Sequence, residues 1–303
     1  MGWTIAIHGG AGTIARAEMN AGQEAAHRDA LHAALEAGAA VLREGGAAEE
    51  AVLAAVSSME DCPLFNAGHG ATLTAAGHAE LDAALMLDDG RAGAVTGARR
   101  IRNPVRAAQA VMRHTKHVLL QGEAADGLAA ECGLPLAESG YFVTPHRLAQ
   151  LEAARRDGEL VLDHDGRMGT VGAVARDAIG ALAAATSTGG MTNKRPGRVG
   201  DSPVIGAGTW ADGRVAVSCT GTGEAFLRCA AAHEVAARMR LAGEDLGAAT
   251  RFVVEQAVPE AGGSGGLIAV DAAGHFALPF NTSGMYRGVW RDGDAPEVAI
   301  FRD

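Results

Sequence analysis

In the stretch DGRMGTVGAVA, residues 165–175, a charged, glycine-containing segment stops at Gly169 and a run of small apolar residues starts at Thr170. A threonine opening a strand is ordinary, and its hydroxyl is a weak nucleophile that needs a base. One base is the residue's own α-amino group, which titrates near about 7.7 to 8.0 in model compounds. That arrangement requires a free amine. Scission of the bond between Gly169 and Thr170 would create one, and the preceding LDHDGRM reads as an exposed segment open to such a cut.

Other residues offer chemistry with less support. GGSGG at 262–266 matches the spacing of a serine-hydrolase elbow centred on Ser264, but that elbow needs a strand before and a helix after it. Here a helical pattern precedes and the strand-like LIAVD follows, so the segment reads as a turn. HEVAAR at 233–238 has Ala237 where a zinc motif needs its second His, and NTS at 281–283 matches a glycosylation sequon with nothing to support it. A nucleotide-binding module is a non-enzymatic alternative for so glycine-rich a chain. It is disfavoured because no G-x-x-x-x-G-K-[ST] occurs and no G-x-G-x-x-G follows a strand. Cys62, Cys132, Cys219 and Cys229 are scattered without metal or disulfide spacing and read as free thiols.

Composition narrows the partners. The 303 residues are 48% hydrophobic and 20% charged, enough for one large core, and 26 basic against 36 acidic residues give a net charge of −10. No Lys/Arg cluster interrupts that balance, which argues against nucleic acid. The N-terminal MGWTIAIHGGAG lacks the basic region of a signal sequence, and no run approaches the length of a membrane span. The expectation is a cytoplasmic protein acting on a small molecule, with no membrane partner.

The elements that must position Thr170 follow from pattern. WTIAIHGG reads as a strand ending in a tight turn, and residues 18–44 as an amphipathic helix with Leu31, Ala34, Leu35, Gly38, Val41 and Leu42 inward. A second helix carries Val52, Ala55, Val56 and Met59. Asn103 before Pro104 and Thr144 before Pro145 read as caps opening further helices, the later one closed by Gly158, so the first half reads as largely helical. After Gly169 come two hairpins, TVGAVA with ALAAATST and VIGAGTW with RVAVSCT. A helix from Glu224 to about Leu241, another near 247–257, and strands within GGLIAVDAAGHFALPF and GMYRGVWRDG complete the chain. Strands with small residues on both faces predict two stacked sheets between helical layers.

HGGAG, LFNAGHGA at 64–71, GTVGAVARD, TSTGGMTNKRPGRVGDSPVIGAGTWA and CTGTGE occur in this order across the whole chain. Together they resemble the plant-type L-asparaginase/isoaspartyl peptidase family of N-terminal-nucleophile hydrolases. The resemblance implies an α+β fold, a four-layer αββα sandwich, formed as a single domain over 1–303. It also implies self-cleavage between Gly169 and Thr170 into an α chain (1–169) and a β chain (170–303). Thr170 would be the nucleophile, tuned by a hydrogen bond from Thr188. Arg198 would grip the substrate α-carboxylate, while Asp201 and the Gly223 carbonyl would hold its α-ammonium. The Thr220 hydroxyl and the Gly221 amide would form the oxyanion hole. The reaction would release L-aspartate from β-aspartyl dipeptides and L-asparagine, with glycosylasparaginase as the alternative within the family.

The same resemblance implies no cofactor for the chemistry but a structural sodium ion. Backbone carbonyls of Met59, Glu60, Cys62, Phe65, Ala67 and His69 would hold it, a set of hard oxygen ligands that leaves little trace in side chains. His69 departs from the aliphatic residue expected there. A homodimer of αβ units is implied as well. The segment between Gly158 and Thr170 is shorter than in bacterial members of the family, which gives the cut site less slack and leaves the speed of maturation open.

Overall fold

The computed structural model describes residues 2–157 and 169–302. Strand β1 (Thr4–Gly12) is buried along its whole length and leads to helices α1 (Ala21–Arg43) and α2 (Ala48–Asp61). Helix α1 starts at a reciprocal cap: Asn20 Oδ1 accepts from the Gln23 amide, and Gln23 Oε1 accepts from the Asn20 amide. Gly38 lets this helix lie close, since a Cβ there would stand 2.3 Å from Ile5 Cδ1 and 2.9 Å from the Ala51 carbonyl.

The first half contains more strand than its sequence suggests. β2 (Leu81–Leu87) and β3 (Ala92–Ala98) form an antiparallel hairpin, and β4 (Leu119–Gln121) pairs parallel with β3. LDAALML has helix-favouring residues, but every one of them is buried in the sheet, and burial on both faces overrides local propensity. Helices α3 (Pro104–His114), α4 (Gly122–Glu131) and α5 (Pro145–Asp157) fill the remainder. Thr144 caps α5 as expected, accepting from the Arg147 amide at 3.2 Å. Asn103 does not cap α3; its side chain donates to Asp61, and the Val105 amide is taken by Glu60 Oε1 at 3.0 Å. Gly158 lies outside the described residues.

The second half opens with the antiparallel pair β5 (Val171–Arg176) and β6 (Leu182–Thr188), followed by β7 (Thr209–Ala211) and β8 (Val215–Gly221). The single helix expected after residue 224 is broken: α6 (Gly223–Arg228) and α7 (Ala231–Ala237) meet at Ala230, whose φ is 47°. α8 (Leu246–Phe252) continues through a π turn into α9 (Val258–Glu260). Strands β9 (Gly265–Asp271), β10 (Phe276–Ala277), β11 (Gly284–Arg291) and β12 (Glu297–Phe301) end the chain.

One sheet has eight strands in the order β12-β11-β1-β5-β6-β2-β3-β4, the other four in the order β10-β9-β8-β7. Apolar residues divide among three layers. Leu31, Leu35, Val52, Val56, Val105, Ala173 and Ala175 pack the large sheet against the first helices, and Val217, Phe226, Val235, Val253 and Leu267 pack the small sheet against the later ones. Ala6, Val174, Ala184, Ala216 and Ile268 lie between the sheets. The alternation of Ala173, Val174 and Ala175 between two layers is the period-two pattern of a strand buried on both faces. The result is an αββα sandwich. Among the described residues no helix is long and apolar enough to cross a membrane, and all four cysteines are free.

Candidate active site

Thr170 stands immediately before β5, in the middle of the large sheet. Its side chain is 7% exposed. The Thr170 hydroxyl donates to Thr188 Oγ1 at 3.3 Å and lies 3.4 Å from Ser202 Oγ. Thr188 ends β6, which pairs with β5, so the hairpin itself brings the two hydroxyls together. Thr188 Oγ1 also accepts from the Gly190 amide at 2.9 Å, fixing its rotamer.

The other face of Thr170 is held by β1. The Thr170 carbonyl is 2.9 Å from His8 Nδ1, and His8 Nε2 is 2.9 Å from Ser218 Oγ. Burial holds the His8 imidazole down to about 3, the bond to the Thr170 carbonyl opposing this only in part. The ring is therefore neutral with a single N–H. A carbonyl only accepts, so that hydrogen sits on Nδ1 and Nε2 accepts from Ser218. Ser218 Oγ is 2.7 Å from Thr186 Oγ1, which accepts from Thr209 Oγ1 at 2.7 Å. A chain of hydroxyls thus crosses between the sheets and ends beside Ser202, whose carbonyl lies 3.1 Å from Thr209 Oγ1. Gly172 makes room for it, since a Cβ there would stand 2.0 Å from Ser218 Oγ and 2.4 Å from His8 Nε2.

The bond between Gly169 and Thr170 rests against the end of β1. Gly10 has φ 113°, and a Cβ on it would come within 2.9 Å of the N, C and O atoms of Gly169. Thr220, at the end of β8, accepts from the Ala11 amide at 3.2 Å through its hydroxyl and faces Gly169, whose added Cβ would lie 3.1 Å away.

Gly169, Thr170, Thr188, Arg198, Asp201, Ser202, Gly221 and Gly223 line one pocket. Asp201 is buried and its Oδ2 has no hydrogen-bond partner among the described residues. Burial, partly offset by a hydrogen bond from its own backbone amide and by the charge of Arg198, raises its carboxyl to about 7. An unpartnered carboxylate oxygen in a pocket is a cost to the empty protein and a ready acceptor for a cationic group. Gly223 gives this corner its width: a Cβ there would stand 2.9 Å from Arg198 Nη2 and 3.0 Å from Asp201 Oδ1. The arrangement can therefore accept a zwitterionic head group beside a hydroxyl nucleophile.

A family model described as Asparaginase matches residues 1–300. The chain belongs to the asparaginase family. It is 53% identical to the isoaspartyl peptidase of Salmonella typhimurium, over 99% of this chain and 98% of that protein. Identity to the isoaspartyl peptidase of Escherichia coli K12 is 52%, covering 99% and 96% of the two chains. A plant-type L-asparaginase of Pyrobaculum calidifontis is 41% identical over 96% of this chain and 98% of its own. The sandwich described above is the N-terminal-nucleophile hydrolase fold of this family, and the chain is an enzyme rather than a nucleotide-binding module.

In this family member the loop after α2 lies behind the pocket. Asn66 joins the two: its carbonyl accepts from the Gly189 amide, its Nδ2 donates to the Gly190 carbonyl at 2.7 Å, and its Oδ1 accepts from the Thr72 amide. The loop therefore braces the turn that follows Thr188. Among the described residues no group of three or more His, Cys, Asp or Glu could hold a metal. Main-chain oxygens do crowd the loop, however. A Cβ on Gly68 would lie 2.3 Å from the Glu60 carbonyl, and one on Gly70 would lie 2.1 Å from the Phe65 carbonyl. The His69 ring packs on Tyr141, with centroids 4.4 Å apart.

His8, Asn66, Ser202, Ser218 and Glu224 were not singled out by sequence reasoning. His8 and Asn66 sit inside HGGAG and LFNAGHGA; a His in the otherwise small and apolar strand TIAIHGGAG was the available signal for the first, and Asn66, in a loop between Phe65 and Ala67, offered none. Ser264 is not an elbow nucleophile, because α9 precedes it and β9 follows. Its amide donates to Thr222 Oγ1 instead.

Proposed function

We propose that this chain is an isoaspartyl peptidase with L-asparaginase activity that matures by cutting itself between Gly169 and Thr170. The observation that carries this reading is the shared pocket: Thr170, Arg198 and Asp201 line one space, and Asp201 Oδ2 has no hydrogen-bond partner among the described residues. The names of the relatives support the same reaction. In the mature enzyme the Thr170 amine takes the hydroxyl proton as Oγ1 attacks the side-chain carbonyl of the β-aspartyl substrate. The proton then passes to the leaving amine, which departs and leaves an ester on Thr170. Water hydrolyses the ester and frees aspartate. Thr220 and the Gly221 amide receive the developing oxyanion, a contribution worth about 2.7 to 4 kcal/mol for one such donor in a serine protease. Arg198 takes the α-carboxylate, and Asp201 with the Gly223 carbonyl takes the α-ammonium.

A sodium ion held by carbonyls of the loop from Met59 to His69 would stiffen the brace behind Thr188; the ion supplies charge to orient those carbonyls and takes no part in bond breaking. A homodimer of αβ units in the cytoplasm completes the proposal, supported by the family resemblance.

The test compares free aspartate released from β-Asp-Leu, L-asparagine and α-Asp-Leu. The first two are hydrolysed and the third is not, because an α-linked dipeptide has an amide where Arg198 needs a charge. Comparable turnover of α-Asp-Leu would refute the head-group assignment. Turnover confined to a glycosylated asparagine would identify a glycosylasparaginase.

A further inference from the structure

Arg198 is already engaged. Its Nε donates to Glu224 Oε1 and its Nη2 to Glu224 Oε2, both at 2.9 Å, a two-pronged bond along one edge of the guanidinium. The Arg198 side chain is 17% exposed and that of Glu224 is 42% exposed. Nη1 has no partner among the described residues. It lies beside Gly200, where a Cβ would stand 2.9 Å from it, and Arg198 and Gly200 both line the pocket. The guanidinium thus presents two edges: one closed by Glu224, the other, with Nη1 and the second hydrogen of Nη2 available, beside Gly200 and Gly223, which both line the pocket.

The two residues come from different parts of the sandwich. Arg198 belongs to the irregular segment between β6 and β7, which has no ladder to stiffen it. Glu224 lies in the first turn of α6, directly after Thr220, Gly221 and Gly223. The pair therefore ties the head-group clamp to the turn that supplies the oxyanion donors. Without Glu224, a long side chain on an irregular segment would have many rotamers, and ordering it on binding would weaken affinity.

We infer that Glu224 is a positioning residue for substrate recognition: it holds Arg198 by one edge so that the other edge meets the α-carboxylate of the aspartyl head group. The inference rests on the proposed role of Arg198. The opposite arrangement, in which Glu224 occupies the substrate's place and must be displaced, would need the bond to use the pocket-facing edge. It uses the Nε edge instead. Glu224 touches no reacting atom, so its effect falls on binding of substrates that carry an α-carboxylate.

The test is a cycle of Glu224→Gln, Arg198→Lys and the double variant in the full chain, with KM and kcat measured for L-asparagine and β-Asp-Leu. Self-cleavage and melting temperature are followed in parallel. Glu224→Gln should raise KM about five- to thirtyfold, the worth of one partly exposed hydrogen bond to a charged group, with kcat within about threefold. Self-cleavage and melting should be unchanged, and the double variant should be no worse than Arg198→Lys, since Glu224 acts only through Arg198. A fall in KM would mean that Glu224 competes with substrate, and would overturn the inference. Unchanged KM in Glu224→Gln, with a raised KM in Arg198→Lys, would overturn it while leaving the role of Arg198 standing. If neither variant changes KM, the head-group reading itself fails. Additive losses, or a loss of kcat with lowered melting, would assign Glu224 to folding.

Discussion

The two ends of the pocket are built on opposite plans. Around Thr170 the polar groups are mutually satisfied: the carbonyl by His8, His8 by Ser218, Ser218 by Thr186, and the hydroxyl by Thr188. Around Asp201 they are not, since one carboxylate oxygen has no partner among the described residues and burial raises its carboxyl to about 7. The first corner is complete in the protein alone; under the proposed function the second is completed by the ammonium of the substrate. Positioning of a nucleophile cannot wait for the ligand, because small displacements at the reacting atom cost rate steeply. Recognition of charge is more selective when the unbound site is left short of a counter-charge.

The largest effect that can separate the corners is loss of the nucleophile. Thr170→Ala should remain one chain on a denaturing gel, where the parent should yield fragments of 169 and 134 residues (303 − 169 = 134). Its turnover should fall by at least about ten-thousandfold. N-terminal sequencing of the smaller parent fragment should read TVGAV; any other start would move the nucleophile elsewhere. A mixture of precursor and product is the expected picture if maturation is slow.

Asp201→Asn probes the unfinished corner and should act in opposite directions on activity and stability. Losing the carboxylate for a buried ammonium should lower kcat/KM about a hundred- to a thousandfold. A folded-state carboxyl raised above its unfolded value gives stability that is fully present below the unfolded value and lost as pH rises through about 7. At pH 8 the parent therefore carries the whole cost of an ionised, buried Asp201, on the order of a few kcal/mol. The variant should melt higher than the parent at pH 8, and the gap should shrink toward pH 5. The same carboxyl should make kcat/KM of the parent fall as pH drops below about 7, with kcat less affected because bound ammonium favours the ionised form. A melting gap independent of pH would mean that Asp201 is not the group that titrates.

The smallest effect is expected at His8, in the finished corner. His8→Leu removes the donor to the Thr170 carbonyl and should lower kcat about ten- to a hundredfold with KM nearly unchanged. His8→Asn, whose amide nitrogen falls near the place of Nδ1, should recover part of the loss. Because burial keeps His8 neutral far below its ordinary value, neither the parent nor the Asn variant should show a kcat inflection between pH 5 and 7 that belongs to this residue. Equal losses in the two variants, tracking melting temperature, would make His8 a packing residue only.

Much of the sandwich was legible along the chain. The helices from Ala21 and Pro145 announced themselves by period and cap, and the β5–β6 hairpin by its small residues and turn. The β2–β3 hairpin was not legible, because Ala, Leu and Met suit a helix locally and only the neighbouring strands made the segment a central part of a sheet. The break at Ala230 was likewise hidden, since nothing in LRCAAAHE signals a left-handed residue.

Within the site, the order of residue types carried the motifs on which the proposed chemistry rests: a threonine after Gly169, an Arg and an Asp three residues apart, and a threonine-glycine turn before Glu224. Those are local facts and survive in one dimension. The tertiary structure decided which partners these groups have and at what ionisation state. His8 meets a carbonyl 162 residues away and Arg198 meets a carboxylate 26 residues on, pairings fixed by strand order and by where α6 begins. The raised carboxyl of Asp201 has the same origin. Solvation depends on everything packed around a group, and that surrounding is assembled from segments with no local relation to it.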